Sequence, residues 1–194
     1  MDTVSLSEHL RTATAQAHRD AERSPFVQLF TSGRLDRATH AAHFRALHDL
    51  YAALEEGLEA FRDDPRLGAF HLPELWRQTS LEADLAYLLG PAWRAHDPVP
   101  SARAYAARLR ALPAAAAHRL VAHAYVRYLG DLSGGLVLRR LAAAQLGLDG
   151  DGLRFYEFPS VPDPAAYKRE FRRRLDAFPL AAGEAEDLVD EARV

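Results

Sequence analysis

Apolar positions along the chain recur at steps of three and four, the spacing of one face of an α-helix. Leu6, Leu10, Ala13, Ala17 and Ala21 make the first such stripe. Ser5 precedes it with Glu8 three residues on, the capping-box arrangement in which a side-chain oxygen takes up a free backbone N–H at a helix start. Ser24-Pro25 predicts a short helix, PFVQLF, stopped at Ser32-Gly33. A long helix is expected from Asp36, because Phe44, Leu47, Tyr51, Leu54, Leu58 and Phe61 define a narrow apolar seam ending near Asp64-Pro65. The middle of the chain is interrupted more often. Leu72 to Gln78 predicts a helical turn or two, and Thr79 with Glu82 predicts a capped start to LEADLAYLL, which Gly90-Pro91 ends. Ser101 is expected to cap ARAYAARLRAL, and Pro113 to be the first residue of a second long helix ending near Gly147. After LDGDGL and the aromatic segment RFYEF, Asp163-Pro164 begins AAYKREFRRRLDAF, and a short helix follows Gly183. No segment combines sustained alternation with β-branched residues. The expected fold is all-α, and 194 residues are expected to form one domain, 1–194.

The second long helix contains an anomaly. Its central stretch, His123 to Leu136, reads HAYVRYLGDLSGGL, and a glycine inside a helix costs about 1 kcal/mol relative to alanine. Gly130, Gly134 and Gly135 with Ser133 make a local penalty of roughly 2–4 kcal/mol that something must offset. Gly130 and Gly134 are four residues apart and share a face, and Asp131, about 100° round the helix, lies at its edge. Small residues of this kind let a neighbouring helix pack closely, or mark a kink. They equally let a flat object lie against the backbone with one acid reaching over its rim. Asp131 also has two readings, since Arg127 precedes it by four residues, the spacing of a surface ion pair.

Composition narrows the function classes. The net charge is −3, with Arg mixed among Asp and Glu, so there is no basic stripe of the kind nucleic acid requires. The absence of cysteine excludes disulfides, thiolate metal sites and cysteine nucleophiles. MDTVSLSEHLRTA has no apolar core of the signal-peptide type, and no stretch approaches the ~18 apolar residues of a membrane span, so a soluble, cytoplasmic protein without a membrane partner is expected. The nine histidines follow no zinc pattern: His40 and His43 are i, i+3, whereas His43 and His48, and His118 and His123, are i, i+5. His18 adjoins the first apolar stripe and by itself reads as a core-edge residue. Lys168 and Arg172 share a face, and Arg11 lies seven residues before His18; on pattern alone KREFRRR is a solvated basic face.

Several stretches together carry a resemblance. AHAYVRYLGDLSGG closely resembles the distal-helix signature of the heme oxygenase family. LRTATAQAHRDAE supplies His18 and Glu22 where that family has a proximal histidine followed four residues later by a glutamate. LHDLYAALEEGLE around Tyr51 and FYEFP from Phe155 to Pro159 are similar as well, and the four stretches are collinear over nearly the whole chain.

The resemblance implies a helical bundle with heme b held between the first, proximal helix and the glycine-containing distal helix. It implies that heme is both cofactor and substrate, cleaved with O2 and electrons from an external reductant to biliverdin of the IX-alpha type, carbon monoxide and ferrous iron. The electron donor would be a ferredoxin, a flavodoxin or an NAD(P)H-dependent reductase. His18 would be the iron ligand, with Glu22 tuning its imidazole. Arg11, Tyr125, Lys168 and Arg172 would meet the heme propionates, Arg11 standing where lysine is common. Gly130 and Gly134 would let the distal helix approach the ring, and Asp131 would order water with Tyr51 and Arg127 as partners. In one place the sequence departs from the family: Leu136 stands where many members have glutamine after the glycines. The chain's end, EDLVDEARV, resembles the soluble bacterial kind. Two other readings stand beside the enzyme, a non-catalytic heme carrier or sensor and a helical bundle without a cofactor.

Overall fold

The structure, a computed structural model, describes residues 4–194. Its α-helices are α1 (Leu6–Glu22), α2 (Pro25–Thr31), α3 (Arg37–Ala60), α4 (Gln78–Leu89), α5 (Pro100–Arg110), α6 (Arg119–Leu146), α7 (Pro164–Asp176) and α8 (Glu184–Glu191), joined by short 3-10 turns, with no strand among the described residues. α3 forms the centre of one half, packed against α4 and α5, and α6 runs between that half and a second layer of α1, α7 and α8. The apolar seam predicted for α3 is the core: Phe44, Tyr51 and Leu54 are fully buried. Among the described residues no helix is long and apolar enough to cross a membrane.

Most helix starts follow the local signals. Ser5 accepts from the Glu8 N–H, Ser24 from Val27, Asp36 from Thr39 and Asp163 from Ala166. Gly90 and Gly147 end α4 and α6 at φ of 82° and 63°, where a side chain would be strained.

Three starts differ from the sequence expectation. α5 begins at Pro100 after Val99, so Ser101 is already inside the helix, because the proline's fixed φ suits the first helical position. Pro113 instead precedes a 3-10 turn over Ala114–Ala116, and α6 begins only at Arg119. α4 begins one residue before Thr79, and its free N–H groups are met from another helix. The Glu55 carboxylate of α3 accepts from Arg77 N at 2.5 Å and from Gln78 N at 3.3 Å.

Glu55 is buried, and burial pushes its carboxyl up to about 7 against the opposing pull of the Arg77 and Gln78 N–H groups. Arg77, also buried, uses its guanidinium to hold the segment after α6. It donates to Phe155 O at 3.2 Å and to Glu157 O, and lies 3.8 Å above the Phe158 ring. Asp84 of α4 completes the clamp by accepting from Arg154 N at 3.0 Å and Phe155 N at 2.8 Å. Phe155 thereby packs 5.8 Å from Tyr51, centroid to centroid.

Glu55→Ala is expected to destabilise the protein by about 1–3 kcal/mol, the scale for leaving buried N–H groups without an acceptor, and Glu55→Gln by less, since the amide oxygen still accepts. Chemical denaturation checks this. Equal midpoints for parent and Glu55→Ala would mean that α4 does not depend on this cap.

Candidate functional site

A cavity of about 680 Å³ opens between α1 and α6 and is bounded at one end by α7 and the residues after α8. Its size falls within the ~300–1,000 Å³ range of small-molecule sites. A smaller cavity of about 260 Å³ between α3, α5 and α6 contains none of the predicted site residues.

The α1 wall carries His18. Its side chain is 65% exposed, with Nδ1 3.5 Å from Glu22 Oε1, and Nε2 makes no hydrogen bond among the described residues. A neutral imidazole with its proton drawn toward the carboxylate presents the other nitrogen's lone pair outward, the arrangement of a metal-ligating histidine. Arg11 lies on the same wall and pairs with Glu8 through bonds of 2.9 and 2.5 Å, both residues exposed. Arg19 and Thr14 also line this wall, and the sequence reading did not single them out.

The α6 wall carries the glycines. A Cβ placed on Gly130 or on Gly134 would meet nothing within 4 Å, whereas one on Gly135 would meet Tyr156 O at 3.7 Å. Gly130 and Gly134 therefore do not serve the close approach of another helix. Leu136 is 58% exposed and takes no part in the cavity lining, so the departure from SGGQ leaves this wall unchanged.

Asp131 is half-buried beside this strip, and its partner is not Arg127. Asp131 Oδ2 accepts a short hydrogen bond from the Tyr51 hydroxyl of α3. Burial raises the Asp131 carboxyl above the usual range, against the opposing effects of Arg127, the Tyr51 bond and Arg77. Burial likewise raises Tyr51 well above a normal phenol, with Arg127 opposing and Asp131 adding to it, so Tyr51 remains the donor. Burial disfavours the Arg127 cation, but the nearby Tyr51 and Asp131 oxygens outweigh it and hold the group charged. Its guanidinium carbon lies 5.4 Å from the Tyr51 ring centroid. Arg127 Nε, Tyr128 OH and Tyr156 OH are buried without a protein partner, and the charge of Asp131 acts on all three groups. Unpartnered polar atoms gathered round one carboxylate are the chemistry of a hydrated chamber.

At the cavity's end, Arg172 lines the wall and forms no ion pair among the described residues. Burial raises the Tyr125 phenol, and Arg172 and Arg11 both act against that rise, which places the two cations around the tyrosine. Lys168 stands one layer back, where its Nζ donates to Ser133 Oγ at 3.0 Å, and Ser133 itself lines the cavity. The structure thus brings Arg11, His18, Tyr125, Arg127, Gly130 and Arg172 onto one cavity surface. Tyr51, Asp131, Gly134, Glu22 and Lys168 lie behind or beside it. Arg193, absent from the sequence reading, lines the same cavity close to the end of the chain, where no motif marked it.

The residues fit a heme. One wall offers a single imidazole, the opposite wall a strip without side chains, and the end a pair of cations for anionic arms.

The sequence matches the family model described as "Heme oxygenase" over residues 4–194. It is 38% identical to heme oxygenase 1 of Synechocystis, over 98% of this chain and 80% of that protein, and 36% identical to heme oxygenase 1 of Homo sapiens, over 97% of this chain and 67% of that protein. The fold superposes on the crystal structure of the Synechocystis heme oxygenase-1 in complex with heme with a TM-score of 0.92, covering 98% of this chain and 86% of the other at 38% identity. Leptospira interrogans heme oxygenase gives the same TM-score of 0.92 at 36% identity, covering 98% and 94%.

Because no atom lies where their Cβ groups would go, Gly130→Ala and Gly134→Ala are each expected to raise the stability of the ligand-free protein by up to about 1 kcal/mol, the helix-propensity difference. Thermal unfolding without ligand checks this. A clear loss in either variant would mean that the helix needs the glycine for itself.

Proposed function

The chain belongs to the heme oxygenase family, and on that premise we propose that it degrades heme in the cavity between α1 and α6, with His18 ligating the iron and Asp131 controlling protons on the opposite face. The observation that carries this reading is the pairing of the two walls: one imidazole faces a strip of helix without side chains, and beside that strip a carboxylate is held by a buried tyrosine.

Heme, when bound, supplies the iron that activates dioxygen and the macrocycle that is itself oxidised. Everything else is the protein's contribution. His18 fixes the ring from one side with a single neutral nitrogen, and Glu22 biases the proton to the other nitrogen. Gly130 and Gly134 let the α6 backbone come close to the opposite face, so the space there admits a small molecule lying along the ring. Tyr51 donates to Asp131 and orients it; Arg127 keeps positive charge nearby and favours the ionised carboxylate. The carboxylate then accepts from water, orders it, and passes a proton across a short distance. Arg172, Arg11 and the Tyr125 hydroxyl meet the two carboxylate arms and so set the ring's rotation in its own plane, which selects the edge presented to Asp131. Lys168 contributes charge from behind Ser133. Arg11 must share its bonds with Glu8 to take part. Electrons are expected from an external donor of the ferredoxin, flavodoxin or NAD(P)H-dependent reductase kind, and O2 is the second substrate. The hydrogen-bonded Asp131 favours the enzyme over a heme carrier, since simple binding has no need of it.

Two substitutions on opposite walls should fail differently. His18→Ala is expected to change the spectrum of bound hemin and abolish turnover. Asp131→Ala is expected to bind hemin within a few-fold of the parent but to lose roughly 10²–10⁴ in ring-opening rate, the scale of a positioned proton-transfer group, with Asp131→Asn milder. Absorbance of the bilin formed from hemin, reductant and oxygen reads both. Full turnover by Asp131→Ala would remove that residue from the mechanism.

The double variant Lys168→Ala with Arg172→Ala is expected to weaken hemin binding and to yield a mixture of biliverdin isomers. Chromatography of the products checks this, and a single unchanged isomer at unchanged affinity would show these cations to be a solvated face only.

A further inference from the structure

Behind the cavity wall, α5, α6 and α8 meet at a buried hydrogen-bonded chain that the roles assigned above leave unused. The Tyr105 hydroxyl of α5 lies 2.5 Å from His123 Nδ1, and His123 Nε2 lies 2.9 Å from Glu191 Oε1 of α8. Arg108 of α5 grips the Glu191 carboxylate with bonds of 2.8 and 2.7 Å, and Arg119 of α6 approaches it at 3.8 Å. The side chains of His123 and Glu191 are 2% and 3% exposed, unlike the open His18–Glu22 pair.

The bonding partners determine where the imidazole proton sits. Burial alone would raise the Glu191 carboxyl, but Arg108 and His123 outweigh it and hold it below the usual range, so it is ionised and can only accept. Nε2 must then carry the hydrogen. In a neutral ring Nδ1 is left as an acceptor, and the Tyr105 hydroxyl donates to it. Both ends of this chain adjoin the cavity. Tyr125, Val126 and Arg127 follow His123 on α6 and line it, as do Ala192, Arg193 and Val194 immediately after Glu191.

We infer that His123, held as the neutral Nε2–H tautomer between Tyr105 and Glu191, is a positioning residue that fixes the Tyr125–Arg127 wall of the cavity against α5 and α8. The ligand in that cavity rests on the heme reading above; the chain of bonds is a property of the protein alone.

Protonation releases the device. A second proton on His123 occupies Nδ1, which can no longer accept from Tyr105, and the tyrosine must turn its hydrogen elsewhere. The groups facing His123 are Tyr105 and Arg108 from α5, Glu191 from α8, and Arg127 from its own helix. Burial, together with Arg108 and Arg127, disfavours that proton and outweighs the pull of Glu191, leaving the imidazole below its ordinary value. The folded protein therefore binds this proton less readily than the unfolded chain. The contribution is fully present above the ordinary histidine range, about 6.5, and is lost as pH falls from there toward the folded value. Glu191 acts in a separate window, below the ordinary glutamate value of 4.5.

His123→Gln tests the inference, because the amide offers a donor and an acceptor in the same order but does not titrate. Nitrogen-15 NMR of the ligand-free parent at pH 7.5 should show the His123 ring neutral and protonated at Nε2. Hemin titrations should find His123→Gln within about twofold of the parent at pH 7.5. Between pH 7.5 and 5.5 the parent should lose about tenfold more affinity than the variant, the effect of one pKa unit. His18 is common to both proteins, so its own protonation cancels in the comparison. The ligand-free unfolding midpoint should fall more in the parent than in the variant over the same interval. An Nδ1–H tautomer, or equal pH dependence in the two proteins, would overturn the inference. If the parent binds no hemin at pH 7.5 the heme reading fails, and the NMR and unfolding profiles still decide the role of His123. Should His123→Gln not fold, the tautomer in the parent decides it.

Discussion

The hydrogen bond from Tyr51 to Asp131 joins the two longest helices at the point where α6 has given up its side chains, and most of the surrounding architecture serves to keep that bond in place. Tyr51 is fully buried in the α3 seam and packs against Phe155 and Tyr128. Phe155 is held by Asp84 and Arg77, and Arg77 is seated where Glu55, one turn beyond Tyr51 on the same helix, caps α4. A residue that touches no ligand is thus connected to the carboxylate through a short series of buried polar contacts. Each is expensive to leave unsatisfied in a low-dielectric interior, so the series tolerates little rearrangement.

The two walls of the cavity are built on opposite principles. The α6 wall is rigid and specific: its orientation comes from buried polar partners on α3 and, through His123, on α5 and α8. The α1 wall is presented by a helix whose buried residues are Ser7 and Leu10 only, and whose functional face is exposed. Precision in proton placement belongs to the first wall and adaptability to the second.

Much of this was legible in the sequence because it depends on local spacing. His18 with Glu22, Gly130 with Gly134, and Lys168 with Arg172 are each one turn apart, so pattern alone put them on common faces, and the family resemblance chose among the readings of those faces. The α3 seam and the caps at Ser5, Ser24, Asp36 and Asp163 are local in the same sense. What stayed hidden depends on partners distant in the chain. Thr79 with Glu82 has the form of a capping box, yet α4 is capped by Glu55, 22 residues upstream of Arg77. Pro113 has the form of a first helical residue, but a 3-10 turn intervenes before Arg119. Asp131 with Arg127 has the form of a surface pair, while the acid's bond runs to a tyrosine 80 positions away. His123, Glu191 and Arg77 had no pattern to mark them, because their meaning lies in helices that meet only after folding.

The shallow seating of α1 has a consequence for how the protein holds together. Its secure attachment is at its start, where Ser7 bonds Asp176 through N and Oγ at 2.8 and 3.0 Å, while His18 and Glu22 lie at the far end with exposed side chains. A helix pinned at one end behaves as a hinged flap, and its free end belongs to the least protected part of the molecule toward exchange and proteolysis. A ligand that bridges from this end to α6 supplies the missing second fastening. Occupancy of the cavity and integrity of the first helix are then a single equilibrium, so the cell's supply of ligand sets how much of the protein is fully folded.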